Sequence, residues 1–152
     1  MPIEIKILCT GDEHVLMNVA YDLFDNPIDP YLAREFLADH RHHLAVAVDN
    51  DLVVAFASAV HYIHPDKPPQ LWINEVAVAP THRRQGLGKA VLKALFEVGR
   101  AHRCTEAWVL TDSLNPAAMA LYKSLGGTEG ADEGPADKML GYTFALTAPA
   151  TQ

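Results

Sequence analysis

The sequence predicts an α+β fold, an α/β sandwich whose mixed, mostly antiparallel sheet carries helices on both faces in the order β-αα-βββ-α-β-α-β. Three observations lead there. Short apolar or alternating runs of strand length recur along the chain. Between them lie segments whose apolar residues fall three and four apart, the period of a helix. The 152 residues, 49% apolar and 20% charged, suffice for one packed domain over residues 1–152 but leave no room for two.

Ile3–Leu8 alternates and is expected to be the first strand. Thr10 and Glu13 have the spacing of a capping box, with Leu16, Val19, Ala20 and Leu23 on one helical face behind them. A first helix to about Phe24 is therefore expected. Asn26-Pro27 breaks it, and Asp29-Pro30 offers N-cap and N1 of a second helix with Leu32, Phe36, Leu37 and His40 inward. Leu44–Val48 and Leu52–Val60 read as a hairpin across Asp49-Asn50-Asp51, and a proline-rich turn at residues 64–69 leads to a strand at about Leu71–Val78.

After Pro80 the period changes. Leu87, Val91, Leu95 and Val98, flanked by Leu92 and Phe96, predict a helix beginning at Gly86 and Gly88. Glu106–Leu110 is a further strand. Asn115-Pro116 opens a short helix with Ala118, Leu121, Tyr122 and Leu125 inward, closed by Gly126-Gly127. An acidic, glycine-rich loop then precedes a last strand at Lys138–Leu146.

Composition removes several classes of function. A net charge of −7 disfavours nucleic-acid binding, which needs a surplus of cations. The apolar runs fall far short of the roughly 20 residues that span a bilayer, and Glu4 and Lys6 interrupt any leader-like opening. Cys9 and Cys104 have no ligand spacing, so a reducing, cytoplasmic setting is expected and a disulfide scaffold is not. Of the histidines, His40, His42 and His43 are expected near a helix end and His61 and His64 beside a turn. No carboxylate spacing makes either group a recognisable site, so no metal is expected.

The total charge conceals an asymmetry: residues 1–40 carry a net −6 and residues 82–103 a net +5. The charges alone allow either patchy solvated surface or two regions built for ligands of opposite sign. The positive region contains the most specific segment, Asn74 to Lys89, where a strand turns into a helix whose first turn holds Gly86 and Gly88 beside Arg83, Arg84 and Lys89. Free N–H groups at a helix start and nearby cations favour a phosphate-bearing ligand. It is not a P-loop, since Arg83 and Ala90 stand where Gly and Ser or Thr are needed. Val91 replaces the third glycine of a dinucleotide fingerprint.

Arg83-x-x-Gly86-x-Gly88 after Val76-Ala77-Val78-Ala79-Pro80 resembles the acetyl-CoA signature of the GNAT superfamily of N-acetyltransferases. The segment from Asn115 through Tyr122 to Gly127 is similar to its downstream motif. The resemblance covers essentially the whole chain and implies the GNAT fold with acetyl-CoA as donor. It implies that the strand backbone at Val76, Ala77 and Val78 pairs with pantetheine. Arg83, Arg84, Gln85, Gly86, Leu87, Gly88 and Lys89 would hold the pyrophosphate, Asn115 would meet the cofactor arm, and Tyr122 would protonate the departing thiolate. An unperturbed phenol, with pKa about 10, stays protonated until used; its helix-spaced apolar neighbours equally allow Tyr122 a plain core role.

Glu75 is the candidate base, a carboxylate inside an otherwise apolar strand. An edge position or a simple ion pair is the alternative. The Tyr21-Asp22-Leu23-Phe24 run, the Pro-rich turn, the acidic residue before Val76 and His82-Arg83-Arg84-Gln85-Gly86 resemble the gentamicin-type aminoglycoside 3-N-acetyltransferases, although Glu stands where that branch tends to have Asp. This resemblance implies a small polycationic amine as acceptor, with Asp22, Asp25 and Asp112 as its binding residues. Helix caps and solvated turns would also place acids there. A homodimer is in keeping with the superfamily.

Overall fold

The computed structural model of the chain describes residues 2–111, 115–128 and 144–146. Among these residues five strands, β1 (Glu4–Ile7), β2 (His42–Asp49), β3 (Leu52–Tyr62), β4 (Gln70–Val78) and β5 (Glu106–Val109), form one sheet in sequential order. The first four pair antiparallel and β4 pairs parallel with β5. That parallel pair needs a crossover, supplied by α2 (Leu87–Ala101). The other helices are α1 (Pro30–Ala38) and α3 (Pro116–Ser124). No helix among the described residues is long and apolar enough to cross a membrane.

The central strands β2 and β3 are buried on both faces, which is why they read as continuous apolar runs rather than alternating ones. One face packs Ala45, Ala47, Ala55, Ala57 and Ala59 against Val91, Leu92 and Leu95 of α2. Small alanines on the sheet admit the larger helix side chains between them. The other face packs Leu44, Val46 and Phe56 against Leu37 and Ala33 of α1 and against Leu16 and Leu23. The β2–β3 hairpin turns at Asn50 and Asp51, both with positive φ (49° and 67°), the pair of left-handed residues that a type I′ turn requires.

The first predicted helix is not there. Glu13–Met17 form only a 3-10 turn, and Val19 bridges to Val53 instead. The backbone is spent on the sheet: Ala20 N–H donates to Val53 O (2.8 Å) and Val53 N–H to Asn18 O (2.9 Å). Thr10 caps nothing local, its hydroxyl donating to Leu37 O at 2.9 Å. Sheet pairing and a long-range contact thus outcompete the local capping pattern. In α1 the Asp29 cap forms as expected, its Oδ1 accepting from Tyr31 and Leu32 N–H. The inward stripe, however, is Ala33, Phe36 and Leu37, with Leu32 at 64% exposure and His40 exposed beyond the helix end. His42 and His43 open β2 rather than ending a helix. The expected strand at Lys138–Leu146 lies mostly outside the described residues, and its described part, Phe144–Leu146, is not strand.

Candidate active site

The site is organised by a break in β4. Ser58 of β3 registers with Glu75, and the next residue, Ala59, registers with Ile73, so Asn74 is an extra residue without a partner. Such a bulge shifts the side-chain alternation by one. Ile73 and, past the bulge, Val76 and Val78 face α2 and join its cluster, whereas Ala77 packs on the Phe56 face. Glu75 therefore shares the α1 face with Trp72 and Ala77. Regular alternation would have put Asn74 there, so facing was not readable from the sequence.

The bulge also ends the pairing with β5. The ladder runs only from Gln70–Glu106 to Ile73–Val109, although β4 continues to Val78. Among the described residues, the outer edge of β4 from Asn74 to Val78 has no strand beside it. Its N–H and C=O groups form a ready template for an extended ligand with amide groups of its own. On the Glu75 face the pairing stops at Trp72 and Trp108, stacked with centroids 4.7 Å apart.

The strand feeds into Pro80–His82, a short 3-10 turn, then into α2. Arg84 and Gly86 both take positive φ, 64° and 74°. Glycine at position 86 meets the second of these without strain, and no atom would lie within 4 Å of an added Cβ. Because Gly86 is the N-cap, no side chain caps the helix. The first helical bond is Ala90 N–H to Gly86 O at 3.0 Å. Among the described residues, the N–H groups of Leu87, Gly88 and Lys89 have no acceptor, and with the helix dipole they set a positive potential at this end of α2. Arg83 and Arg84 are exposed beside it and Lys89 half-buried.

Gly88 does different work from Gly86. A Cβ there would come 3.3 Å from Leu121 Cδ2 and 3.6 Å from Val78 Cγ2. Its missing side chain lets α3 cross close to the first turn of α2, carrying Tyr122 toward the same end of the sheet. Tyr122 is half-buried against the α2 cluster, and burial pushes its phenol above its ordinary pKa. It lines a cleft of about 290 Å³ with Ile73, Val109 and Leu125. The helix is fixed at both ends. Asn115 Oδ1 accepts from Ala118 N–H at 3.1 Å, so its carbonyl serves as N-cap. Gly126 (φ 84°) and Gly127 close a Schellman turn, Gly127 N–H donating to Tyr122 O at 2.9 Å. A Cβ on Gly127 would lie 2.8 Å from that same carbonyl oxygen, so Gly127→Ala is expected to lower stability by about 1–3 kcal/mol. A urea midpoint equal to wild type would contradict this.

Asp22 and Asp25 lie on the turn that replaces the first predicted helix, both exposed, Asp22 with φ 58°. Phe24 between them stacks on Phe56 (4.0 Å, 9°), and Phe56 registers with Ala77 two residues past Glu75. This turn and Glu75 thus share one face. Asp29 is committed to its helix cap. Asp112 lies outside the described residues. One connection had no local signal: His82 Nε2 meets Asp49 Oδ2 at 2.7 Å while its Nδ1 faces Thr81 Oγ1 at 2.8 Å. It ties the β4–α2 turn to the β2–β3 hairpin across 33 residues, a separation that no sequence spacing marks.

Comparison with known proteins shows the family and the fold. A family model described as "Acetyltransferase (GNAT) family" matches residues 14–126. Mouse N-acetyltransferase family 8 member 3 is 29% identical over 122 residues, 77% of this chain and 50% of that protein. The streptothricin acetyltransferase of Streptomyces lavendulae is 30% identical over 132 residues, covering 77% of this chain and 64% of that one. The chain thus spans about half the length of the mouse relative. In fold, it is similar to the crystal structure of an aminoglycoside acetyltransferase from an uncultured soil metagenomic sample in complex with sisomicin. The TM-score is 0.78 at 17% identity, covering 95% of this chain and 97% of that one. An open β4 edge, an uncapped glycine-rich helix start and a family match over most of the length converge: the chain belongs to the GNAT family of acetyltransferases.

Proposed function

We propose that this protein is a single-domain, acetyl-CoA-dependent N-acetyltransferase that acts by direct transfer on a small polycationic amine, the 3-amino group of gentamicin-type aminoglycosides. The observation that carries the donor half is the edge of β4, unpaired among the described residues, running toward the uncapped start of α2. Amide pairing along Val76, Ala77 and Val78 would hold the pantetheine arm. The N–H groups of Leu87 to Lys89, with Gln85, Arg83 and Arg84, would hold the pyrophosphate, and Asn115 would offer its amide to the arm. Bound acetyl-CoA supplies an activated acetyl thioester.

The residues then have separate tasks. An acceptor amine is an ammonium ion at neutral pH and attacks only after losing a proton, which Glu75 takes directly or through a water. Backbone N–H groups near Val76 and Val78 donate to the carbonyl oxygen as it becomes negative. Tyr122, held protonated by its burial, donates to the leaving thiolate. Neither Cys9 nor Cys104 is assigned an acyl-enzyme role, and burial raises the Cys104 thiol, which makes it a poor nucleophile.

For the acceptor, support comes from charge and aromatic surface. Asp22 and Asp25 share the face of Glu75 and would attract a cation of several charges, with Asp112 assigned by resemblance alone. Trp72 and Trp108 offer aromatic faces to an ammonium group or to the apolar face of a sugar. The reading includes a cytoplasmic homodimer. The deciding experiment measures thiol release from acetyl-CoA with gentamicin, kanamycin, spermine and a peptide panel, followed by locating the acetyl group in the product. Turnover with gentamicin and acetylation at its 3-amino group is expected. Turnover with peptides alone would overturn the acceptor assignment and leave the donor site intact.

A further inference from the structure

Two of the eight histidines are buried: His43 on β2 and His61 on β3. His43 registers with Ala59, so His61 stands diagonally across from it on the face that packs against α2. The third member, His102, is the C-cap residue of α2. His43 Nε2 and His61 Nδ1 are 2.8 Å apart, and the His61 and His102 rings stack at 4.4 Å. One ring nitrogen from each lies within 4.8 Å of the others. The cluster sits at the opposite end of α2 from Gly86, about 24 Å away at the helical rise from Gly86 to His102.

Apolar side chains would fill this space without desolvating ring nitrogens, so ordinary core packing gives no reason for three imidazoles to meet. No carboxylate is hydrogen-bonded to them among the described residues. Asp39 accepts from the backbone N–H and Nε of Arg41, and His42 turns to the other face against Phe36. His43 and His61 bring ring nitrogens into one small buried volume beside His102, the donor type that a transition-metal ion takes.

We propose that His43, His61 and His102 form a three-histidine site for a zinc-class divalent cation, with water in the fourth position. Imidazole donors suit zinc, copper and nickel rather than calcium or magnesium. Tetrahedral zinc with bonds of about 2.0–2.1 Å sets nitrogens about 3.3 Å apart. The His43–His61 pair therefore opens by about half an ångström, its hydrogen bond replaced by two metal bonds, while exposed His102 swings in from the helix end. The bound ion ties the last turn of α2 to β2 and β3. Spacings of 18 and 41 residues hide this set from any sequence pattern.

The test uses the full chain without a histidine tag, freed of metal by chelator and titrated with zinc sulfate, and separately with cobalt chloride. One zinc per chain by calorimetry and elemental analysis is expected, with visible absorption bands of four-coordinate cobalt. A melting temperature raised by about 5–10 °C at a hundredfold excess over Kd should accompany binding. His102→Ala should weaken zinc binding at least tenfold and remove the cobalt bands, whereas His42→Ala should change neither. His61→Gln, close in size, repeats the loss should His102→Ala fold poorly. Absence of stoichiometric zinc in the wild type, or equal binding by wild type, His102→Ala and His61→Gln, overturns the proposal.

Discussion

Tyr122→Phe is expected to lower kcat with acetyl-CoA and gentamicin by about 10²- to 10⁴-fold, the usual worth of a positioned acid or base, while KM for acetyl-CoA changes little. The substitution removes one hydroxyl from a half-buried ring and leaves its packing against the α2 cluster intact. Circular dichroism and the unfolding midpoint should therefore stay near wild type. Burial holds the phenol above its usual pKa of 10.0, so it keeps its proton through neutral and mildly alkaline pH. No alkaline decline of the wild-type rate below pH 10 should trace to Tyr122. Glu75→Gln is nearly isosteric and should cost a similar factor, recovered in part as pH rises and the acceptor amine deprotonates in solution. Full rate in both variants would remove the mechanism and leave the donor site standing.

Gly86→Asp is expected to weaken acetyl-CoA binding by about a hundredfold. The substitution sets a carboxylate at the uncapped start of α2, where the Leu87, Gly88 and Lys89 N–H groups await an anion. Two like charges about 5 Å apart at an effective dielectric of 20 repel by about 3 kcal/mol, enough for that factor. The cost to the fold is smaller. No atom lies within 4 Å of the added Cβ, and an aspartate tolerates φ near 74° at about 1 kcal/mol. Calorimetry with coenzyme A measures the loss, and Gly86→Asn, neutral and close in shape, separates charge from backbone strain. Equal weakening by Asn would mean that conformation rather than charge governs the site.

Much of the site was legible because its parts are local. The Asn74–Lys89 segment carries strand end, turn and helix start in consecutive residues, and Asn115–Gly127 carries cap, helix and Schellman closure in the same way. Gly86 and Gly88 were readable as a pair but not as individuals. That one supplies a left-handed N-cap and the other a close crossing with Leu121 depends on a contact 33 residues away. The first expected helix is absent for a related reason. Its capping pattern is real in the sequence, yet Asn18 and Ala20 spend their backbone groups on Val53, and a local preference of about 1 kcal/mol yields to sheet pairing and burial. Leu32 was misassigned because Ala33, too small to stand out in an apolar count, takes the inward position.

By itself the sequence determined the α+β class, the order of helices and strands between residues 29 and 126, the cation-flanked turn at residues 83–89 and the GNAT resemblance. The class, the order and the turn follow from periodicity, caps and charge within some fifteen consecutive residues, and the resemblance rests on the Arg83–Gly88 and Asn115–Gly127 motifs. The tertiary structure alone decided which way Glu75 faces, because the Asn74 bulge inverts the alternation, and where β4 parts from β5. It also decided the His82–Asp49 tie and the meeting of His43, His61 and His102. Those outcomes rest on register and crossover between distant segments, which only the closed sheet and its packed helix bring together.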